Sequence, residues 1–256
     1  MQLFNRTIIL WAAALGIAAL IVKPQMALLQ RVNNMNEAYV NCLSFEQCAD
    51  IKSITEAREY YRILAQLYPD YGRGFEMEGI CYLILKQDNM AVKKFREAIG
   101  HNPRLFWVSF ELGKAYYRQG KYAPALKYFR EINAQDNQSL LNKATLSNLN
   151  RLPDQTRKVL MMSLIDFVNE IKLKSSQMTI GCLIHQNNLI EARNWISLEL
   201  NHQPTAKNNF FIMAYQSMDQ ADTRNEMLKW IDVLADSKPI LHPWGHVIQP
   251  LKEILY

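Results

Sequence analysis

RLFWVSFELGKAYYRQGKYAPALKYFREINAQDN, residues 104–137, is the stretch that decides the fold. Several of its residues repeat residues found one fixed interval of 34 earlier in the chain. The matched pairs are Gly79 and Gly113, Tyr82 and Tyr116, Ala91 and Ala125, and Phe95 and Phe129. A period of this length, with small and aromatic residues at fixed offsets, predicts helical hairpins that stack on one another in an array.

Each repeated position has a physical role in such a hairpin. Glycine and alanine let two helices approach closely, and the aromatic side chains fill the space between hairpins. Pro69 and Pro103, also one interval apart, end helices because proline lacks a backbone donor. Apolar residues recur at three- and four-residue spacing, which is typical of amphipathic helices, and no segment alternates convincingly between apolar and polar residues. The sequence therefore predicts an all-α chain.

The pattern resembles the tetratricopeptide repeat family. The best match is residues 104–137, and residues 70–103 match nearly as well. Residues 38–69 match only in their second helix. The equivalent position of each successive repeat falls near Phe45, Gly79, Gly113, Ser147, Ile180 and Ala214. The steps between these positions are 34, 34, 34, 33 and 34 residues. The resemblance implies a superhelix of about six hairpins, of which the last three are degenerate.

Residues 138–256 are the degenerate half of this arrangement. Residues 156–173 and 179–185 read as two helices with a boundary at 173–176. Further helices are expected at 189–200, 209–218 and 223–234. We therefore divide the chain into an anchor and linker (1–30), tetratricopeptide-like repeats (31–137), and degenerate repeats with a C-terminal cap (138–256).

Residues 7–22, TIILWAAALGIAALIV, are uncharged and lie between Arg6 and Lys23. A helix of this length spans about 24 Å, and flanking apolar residues can extend it toward the roughly 30 Å of a hydrocarbon core. The segment predicts one N-terminal transmembrane helix that holds the chain at a membrane. A cleaved signal peptide and a buried core helix are the alternatives. Positive charges on the two flanks of the segment balance, so they do not decide its orientation. The short N-terminal tail favours placing the rest of the chain on the periplasmic or extracytoplasmic side, and a cytoplasmic location is the alternative.

The net charge of +5 gives little support for binding nucleic acid. Residues 1–36 contain Arg6, Lys23 and Arg31 and no acidic residue, so the rest of the chain is nearly balanced, with 26 basic and 24 acidic residues. No dense basic block is interleaved with aromatic residues. Nucleic-acid partners are therefore not expected.

The four cysteines, Cys42, Cys48, Cys81 and Cys182, form no CxxC pair. We interpret them as small buried side chains, and leave open whether Cys42 and Cys48 are oxidised.

Zinc would need His242 and His246 to meet Cys182 and His185, and nothing in the sequence brings these residues together. No metal site and no cofactor are predicted. We find no nucleophile beside a base and no glycine-rich phosphate loop, so the chain is not expected to be an enzyme.

In the family that the sequence resembles, the first helix of each hairpin lines a concave groove. The resemblance places nine residues there: Tyr39, Arg73, Glu76, Ile80, Leu83, Trp107, Phe110, Lys114 and Tyr117. Aromatic and apolar side chains with a few charges suit an extended peptide or an amphipathic helix. The alternative is that Trp107 and Phe110 are buried, by a neighbouring helix or by the membrane-proximal segment.

These features together predict a membrane-anchored adaptor or assembly factor that binds a membrane-associated protein partner in its groove. One alternative is an accessory module of a bacterial membrane glycan polymerase, ligase or other envelope enzyme system. The second alternative is a structural subunit of a large membrane complex, which a large exposed apolar patch would favour.

Overall fold

The computed structural model describes residues 51–102, 105–141, 153–202 and 209–240. Within those ranges every regular element is a helix, as the sequence predicted. The α-helices of these four ranges are α1 (Ile51–Leu67), α2 (Arg73–Ile84), α3 (Asp88–His101), α4 (Phe106–Arg118), α5 (Tyr122–Ala134), α6 (Asn137–Leu140), α7 (Asp154–His185), α8 (Leu189–His202), α9 (Asn209–Ser217) and α10 (Ala221–Ala235). A short 3-10 turn, Pro69–Tyr71, joins α1 to α2.

The turns inside the hairpins repeat with the period found in the sequence. Lys86, Gly120 and Asn187 have left-handed φ angles of 57°, 69° and 58°, just after α2, α4 and α7 end. In each turn a main-chain N–H reaches back five residues, as from Lys121 to the oxygen of Tyr116 at 2.9 Å. The intervals between the three left-handed residues are 34 and 67, which confirms the predicted spacing as far as α7 and α8.

Two glycines explain why the hairpins close so tightly. A Cβ atom added at Gly79 would lie 2.6 Å from Phe95 Cε1, and one added at Gly113 would lie 2.6 Å from Phe129 Cε1. Real carbon atoms do not pack at this distance. The first helix of each hairpin therefore needs glycine where the aromatic ring of the second helix crosses it.

Aromatic residues of the second helices form the centre of the core. Tyr61, Phe95 and Phe129 stand 34 residues apart and are buried. They belong to one continuous apolar cluster that receives side chains from α1 to α10. The predicted aromatic positions of the repeat are thus core positions.

The predicted boundary at residues 173–176 is wrong, because α7 runs without interruption from Asp154 to His185. Residues 173–176 contain neither proline nor glycine. Ser176 is buried and its hydroxyl donates to Glu199 Oε1 at 2.6 Å, while Lys174 and Glu170 form an ion pair one turn apart. A helix that meets no breaker and packs along its length continues through the point where a turn was expected.

The last hairpin in the described part of the chain departs from the period and folds back on the array. Helix α9 ends at Ser217, 32 residues after the end of α7, and α10 packs against both α4 and α7. A Cβ atom at Gly181 of α7 would lie 2.6 Å from Ile231 Cγ2 and 3.1 Å from Tyr117 Oη. Glycine at this position lets α4, α7 and α10 meet.

Several sequence predictions fall outside the described residues. These are the transmembrane segment at residues 7–22, Tyr39, Phe45, the pair Cys42 and Cys48, Ser147, and the pair His242 and His246. Within the described ranges, no helix combines the length and apolar character that crossing a bilayer requires.

Candidate peptide-binding face of α4

The predicted groove residues are largely covered. Seven of the eight that the structure describes are at most 7% exposed: Glu76, Ile80, Leu83, Trp107, Phe110, Lys114 and Tyr117. Arg73 keeps 20% of its side chain exposed. The burial of Trp107 and Phe110, which the sequence left as an alternative, is confirmed.

Three of these residues form a closed polar network between α2 and α4. Glu76 Oε1 accepts hydrogen bonds from the Trp107 indole at 3.0 Å and from Arg73 Nη1 at 2.7 Å. The carboxylate is 1% exposed, so both donors are needed to offset its lost hydration. Phe110 turns instead toward α5, where its ring centre lies 5.7 Å from that of Phe129.

Lys114 forms a buried charge pair with a residue that the groove prediction omitted. Its Nζ lies 3.4 Å from Glu111 Oε2, and both side chains are 1% exposed. Burial lowers the pKa of Lys114, and the negative charge of Glu111 opposes that change. A buried pair of this kind is stable only if further hydrogen bonds satisfy its remaining donors and acceptors.

Some of these hydrogen bonds come from the stretch that follows α10, residues 236–240, which we call the return segment, whereas the buried Glu111 Oε2 accepts none from the described residues. Lys114 Nζ donates to the main-chain oxygen of Ser237 at 3.0 Å and to its hydroxyl at 3.2 Å. Glu111 Oε1 accepts the main-chain N–H of Ile240 at 2.8 Å. The buried pair therefore binds one acceptor and one donor of a non-helical main chain, three residues apart.

Ion pairs at the surface border this contact. Lys86 Nζ lies 3.0 Å from Asp236 Oδ1, where both side chains are more than 60% exposed, and Arg118 Nη1 lies 4.0 Å from the same oxygen. Arg118 is also bonded to Asp88. Exposed pairs contribute at most about 1 kcal/mol each, so they orient the return segment more than they hold it.

Tyr117 joins a second polar cluster on the same face. Its hydroxyl donates to Asp232 Oδ1 at 2.9 Å and lies 3.0 Å from His185 Nε2. The His185 ring stacks on Tyr122 with ring centres 4.2 Å apart. The cluster thus ties α4, α5, α7 and α10 together.

Burial sets the titration of this cluster. It lowers the pKa of His185, against the attraction of Asp232. Burial, together with the charge of Asp232, raises the pKa of Tyr117 far above its ordinary value. A tyrosine held in its neutral form and hydrogen-bonded to a carboxylate is a structural link rather than an activated nucleophile at neutral pH.

The two described cysteines, Cys81 and Cys182, are free and buried, as the sequence predicted. Burial raises the pKa of Cys81 to about 12 and also raises that of Cys182. Neither thiol is poised for reaction. Within the described residues, no group of three or more histidine, cysteine or acidic side chains is arranged to hold a metal ion.

Sequence reasoning missed Glu111 and the return segment for different reasons. Glu111 stands three residues before Lys114, on the same helix face, so a search for a countercharge to a buried lysine would have found it. The return segment lies more than 120 residues from Lys114 along the chain, and no local pattern links the two.

Comparison with known families agrees with this geometry. A family model described as tetratricopeptide repeat matches residues 108–136. The chain is similar to tetratricopeptide-repeat proteins. The matched stretch covers most of α4 and α5, the tetratricopeptide-like hairpin that carries Glu111, Lys114 and Tyr117. Comparison with curated proteins found no match.

Proposed function

We propose that the chain is a membrane-anchored adaptor or assembly factor that binds a protein partner on the face formed by α2 and α4. The observation that carries this proposal is the buried pair Glu111 and Lys114, which holds a non-helical polypeptide by its main chain. Recognition of an extended peptide through its main chain needs just such a donor and acceptor at fixed spacing. The match to the tetratricopeptide repeat supports the same role, because these repeats bind proteins.

The proposal includes a tether at the membrane. Its support is the uncharged segment at residues 7–22. An anchored adaptor meets membrane-bound partners at a raised effective concentration. We place the body on the extracytoplasmic side. A reporter that is active only outside the cytoplasm, fused after Tyr256, should be active, and activity of a cytoplasm-only reporter at the same position would contradict this placement.

Photo-cross-linking in cells tests the binding face. A photoreactive amino acid replaces Arg73 or Lys86 at the edge of the face, or Lys127 on the exposed surface of α5 as the control. The proposal expects one protein, identified by mass spectrometry, to be cross-linked at both edge positions and absent at Lys127. Cross-linking to Lys127 alone, or no protein adduct at either edge position, would contradict it.

A second candidate function, a structural subunit of a large membrane complex, is favoured by one observation. Apolar side chains of α9 and α10 are between 44% and 68% exposed: Ile212, Met213, Tyr215, Trp230 and Val233. Two of them, Met213 and Trp230, line a cavity of about 350 Å³ that Phe210 and Met227 also line. If this patch joins the chain to a complex, Trp230→Glu with Val233→Glu should release the chain from it. Because the chain would then meet its partner only within the complex, the same variant should also lose the cross-link at Arg73.

A further inference from the structure

We propose that the return segment, residues 236–240, is an internal ligand, and that a partner's extended peptide binds by displacing it. This inference rests on the proposed function and names its regulation. The partner peptide that fits has an acidic residue, then serine or threonine, then two variable residues, and then a residue with a free main-chain N–H.

The contacts of Lys114 and Glu111 are ones that another polypeptide can also make. Both bind the main chain of the return segment, at the oxygen of Ser237 and the nitrogen of Ile240. Main-chain groups are the same in every non-proline residue. Any segment that presents this oxygen and this N–H at the same spacing can therefore make the same hydrogen bonds.

The burial of the pair explains why binding proceeds by exchange. Lys114 and Glu111 are 1% exposed. Without a segment over them, the two side chains would lose hydrogen bonds that they cannot make to each other. The face is therefore stable with an occupant. In the free chain the occupant is the return segment, and in the complex it is the partner.

The return segment is hydrogen-bonded to α4 through two of its residues. Asp236 and Ser237 form the C-terminal turn of α10, where their main-chain N–H groups donate to the oxygens of Asp232 and Leu234, and residues 238–240 are not helical. Asp236 and Lys238 are exposed, so the hydrogen-bonded attachments to α4 are those of Ser237 and Ile240, and the Ile240 side chain also packs against the apolar cluster. Exposed ion pairs such as Asp236 with Lys86 add little to its retention.

The side-chain contacts define the peptide class. Asp236 lies beside Lys86 and Arg118, and the Ser237 hydroxyl lies beside Lys114. The residue at the position of Ile240 must not be proline, because Glu111 accepts its N–H. Proline one residue earlier, as at Pro239, leaves this N–H in place.

A displacement assay with the detergent-solubilised full chain tests the proposal. The probe is a fluorescein-labelled synthetic peptide, LADSKPILHPW, with the sequence of residues 234–244. The release variant combines Asp236→Ala with Ile240→Pro, which removes the internal N–H and leaves α4 unchanged. Asp236→Ala with Ile240→Ala is the matched control, because it shortens the same side chain and keeps the N–H.

The probe should bind the release variant about tenfold more tightly than the wild type, because apparent affinity falls with the fraction of molecules whose site is occupied. The matched control should give a smaller gain. Equal affinity for the wild type and the release variant would overturn the proposal, as would the absence of binding to the release variant.

A change in the probe alone keeps the test independent of protein folding. N-methylation at the isoleucine that corresponds to Ile240 removes the N–H that Glu111 accepts, and N-methylation at the position of Lys238 is the control. The first change should weaken binding to the release variant about tenfold, which is a loss of roughly one charge-assisted hydrogen bond, and the second should weaken it less. Equal effects of the two methyl groups would refute the main-chain contact.

The outcomes separate this inference from the proposed function. If the probe fails to exchange while Arg73 and Lys86 still cross-link a partner, the adaptor function stands and the internal ligand is refuted. If the probe exchanges as expected while no partner is cross-linked in cells, the site is real and the adaptor function falls.

Discussion

Lys114 Nζ lies 3.0 Å from the main-chain oxygen of Ser237 and 3.2 Å from its hydroxyl, although 123 residues separate the two in the chain. This contact joins the hairpin of α4 and α5 to the segment that follows the last described helix. Because Lys114 is also paired with buried Glu111, the junction places two charges in the interior. The free energy of unfolding should therefore depend on both members of the pair, and unfolding experiments can measure this dependence.

Removing one member of the buried pair should be costly. Lys114→Met leaves the Glu111 carboxylate buried without its cation, and we expect the free energy of unfolding to fall by about 3–5 kcal/mol. Adding Glu111→Gln removes the uncompensated charge and should restore part of the loss. Urea unfolding of the single and double variants measures both values. A double variant less stable than Lys114→Met alone would contradict the assignment of a charge pair.

The close crossing of α4 and α5 should tolerate no Cβ atom. Gly113→Ala would place carbon 2.6 Å from the Phe129 ring, and we expect a loss of about 1–3 kcal/mol from overpacking. Gly100→Ala is the matched control, since its added Cβ meets no atom within 4 Å and alanine favours a helix by up to about 1 kcal/mol. Urea midpoints compare the two. Equal effects at both glycines would mean that the crossing is looser than described.

The repeating part of the fold could be predicted from sequence because its causes are local. Gly79 and Gly113 recur at the hairpin crossings, and the 34-residue interval places the left-handed turn residues at Lys86 and Gly120. Even the degenerate hairpin of α7 and α8 has its left-handed turn residue, Asn187, where the repeat interval predicts it. Periodic patterns record contacts between near neighbours, and such contacts decide these elements.

The rest depends on contacts that no local pattern records. The continuity of α7 through Ser176 follows from packing against Glu199 and from the absence of a breaker in residues 173–176. The burial of Lys114 and Tyr117 follows from α10 and the return segment, which reach them from the far end of the array. The nine predicted groove residues stay a prediction as a binding site, although the structure describes eight of them.

Acid should weaken the cluster around His185. Burial lowers the pKa of this imidazole below its ordinary value of 6.5, so the folded chain favours the neutral ring that faces Tyr117, Tyr122 and Asp232. The unfolded chain binds the proton more readily, and the stability gained at higher pH is lost as the pH falls below about 6.5.

Urea midpoints at neutral and mildly acidic pH measure this effect. The wild type should lose more stability on acidification than His185→Gln, which keeps a polar side chain and cannot titrate. A variant that loses as much as the wild type would show that His185 is not responsible.

The two described cysteines should react only when the fold opens. Cys81 and Cys182 are buried, and burial holds the pKa of Cys81 near 12, so little thiolate forms at neutral pH. Iodoacetamide labelling followed by peptide mass spectrometry should modify both in urea and neither in native buffer. Rapid native labelling of Cys182 would mean that α7 is not covered as described.

The most direct test of the account is hydrogen exchange at the Ile240 main-chain amide, measured residue by residue in the full chain. The amide donates to the buried carboxylate of Glu111 at 2.8 Å, so we predict protection in the wild type and its loss in Glu111→Ala. An Ile240 amide that exchanges in the wild type as fast as in an unfolded peptide would contradict the claim that the α4 face holds a polypeptide segment.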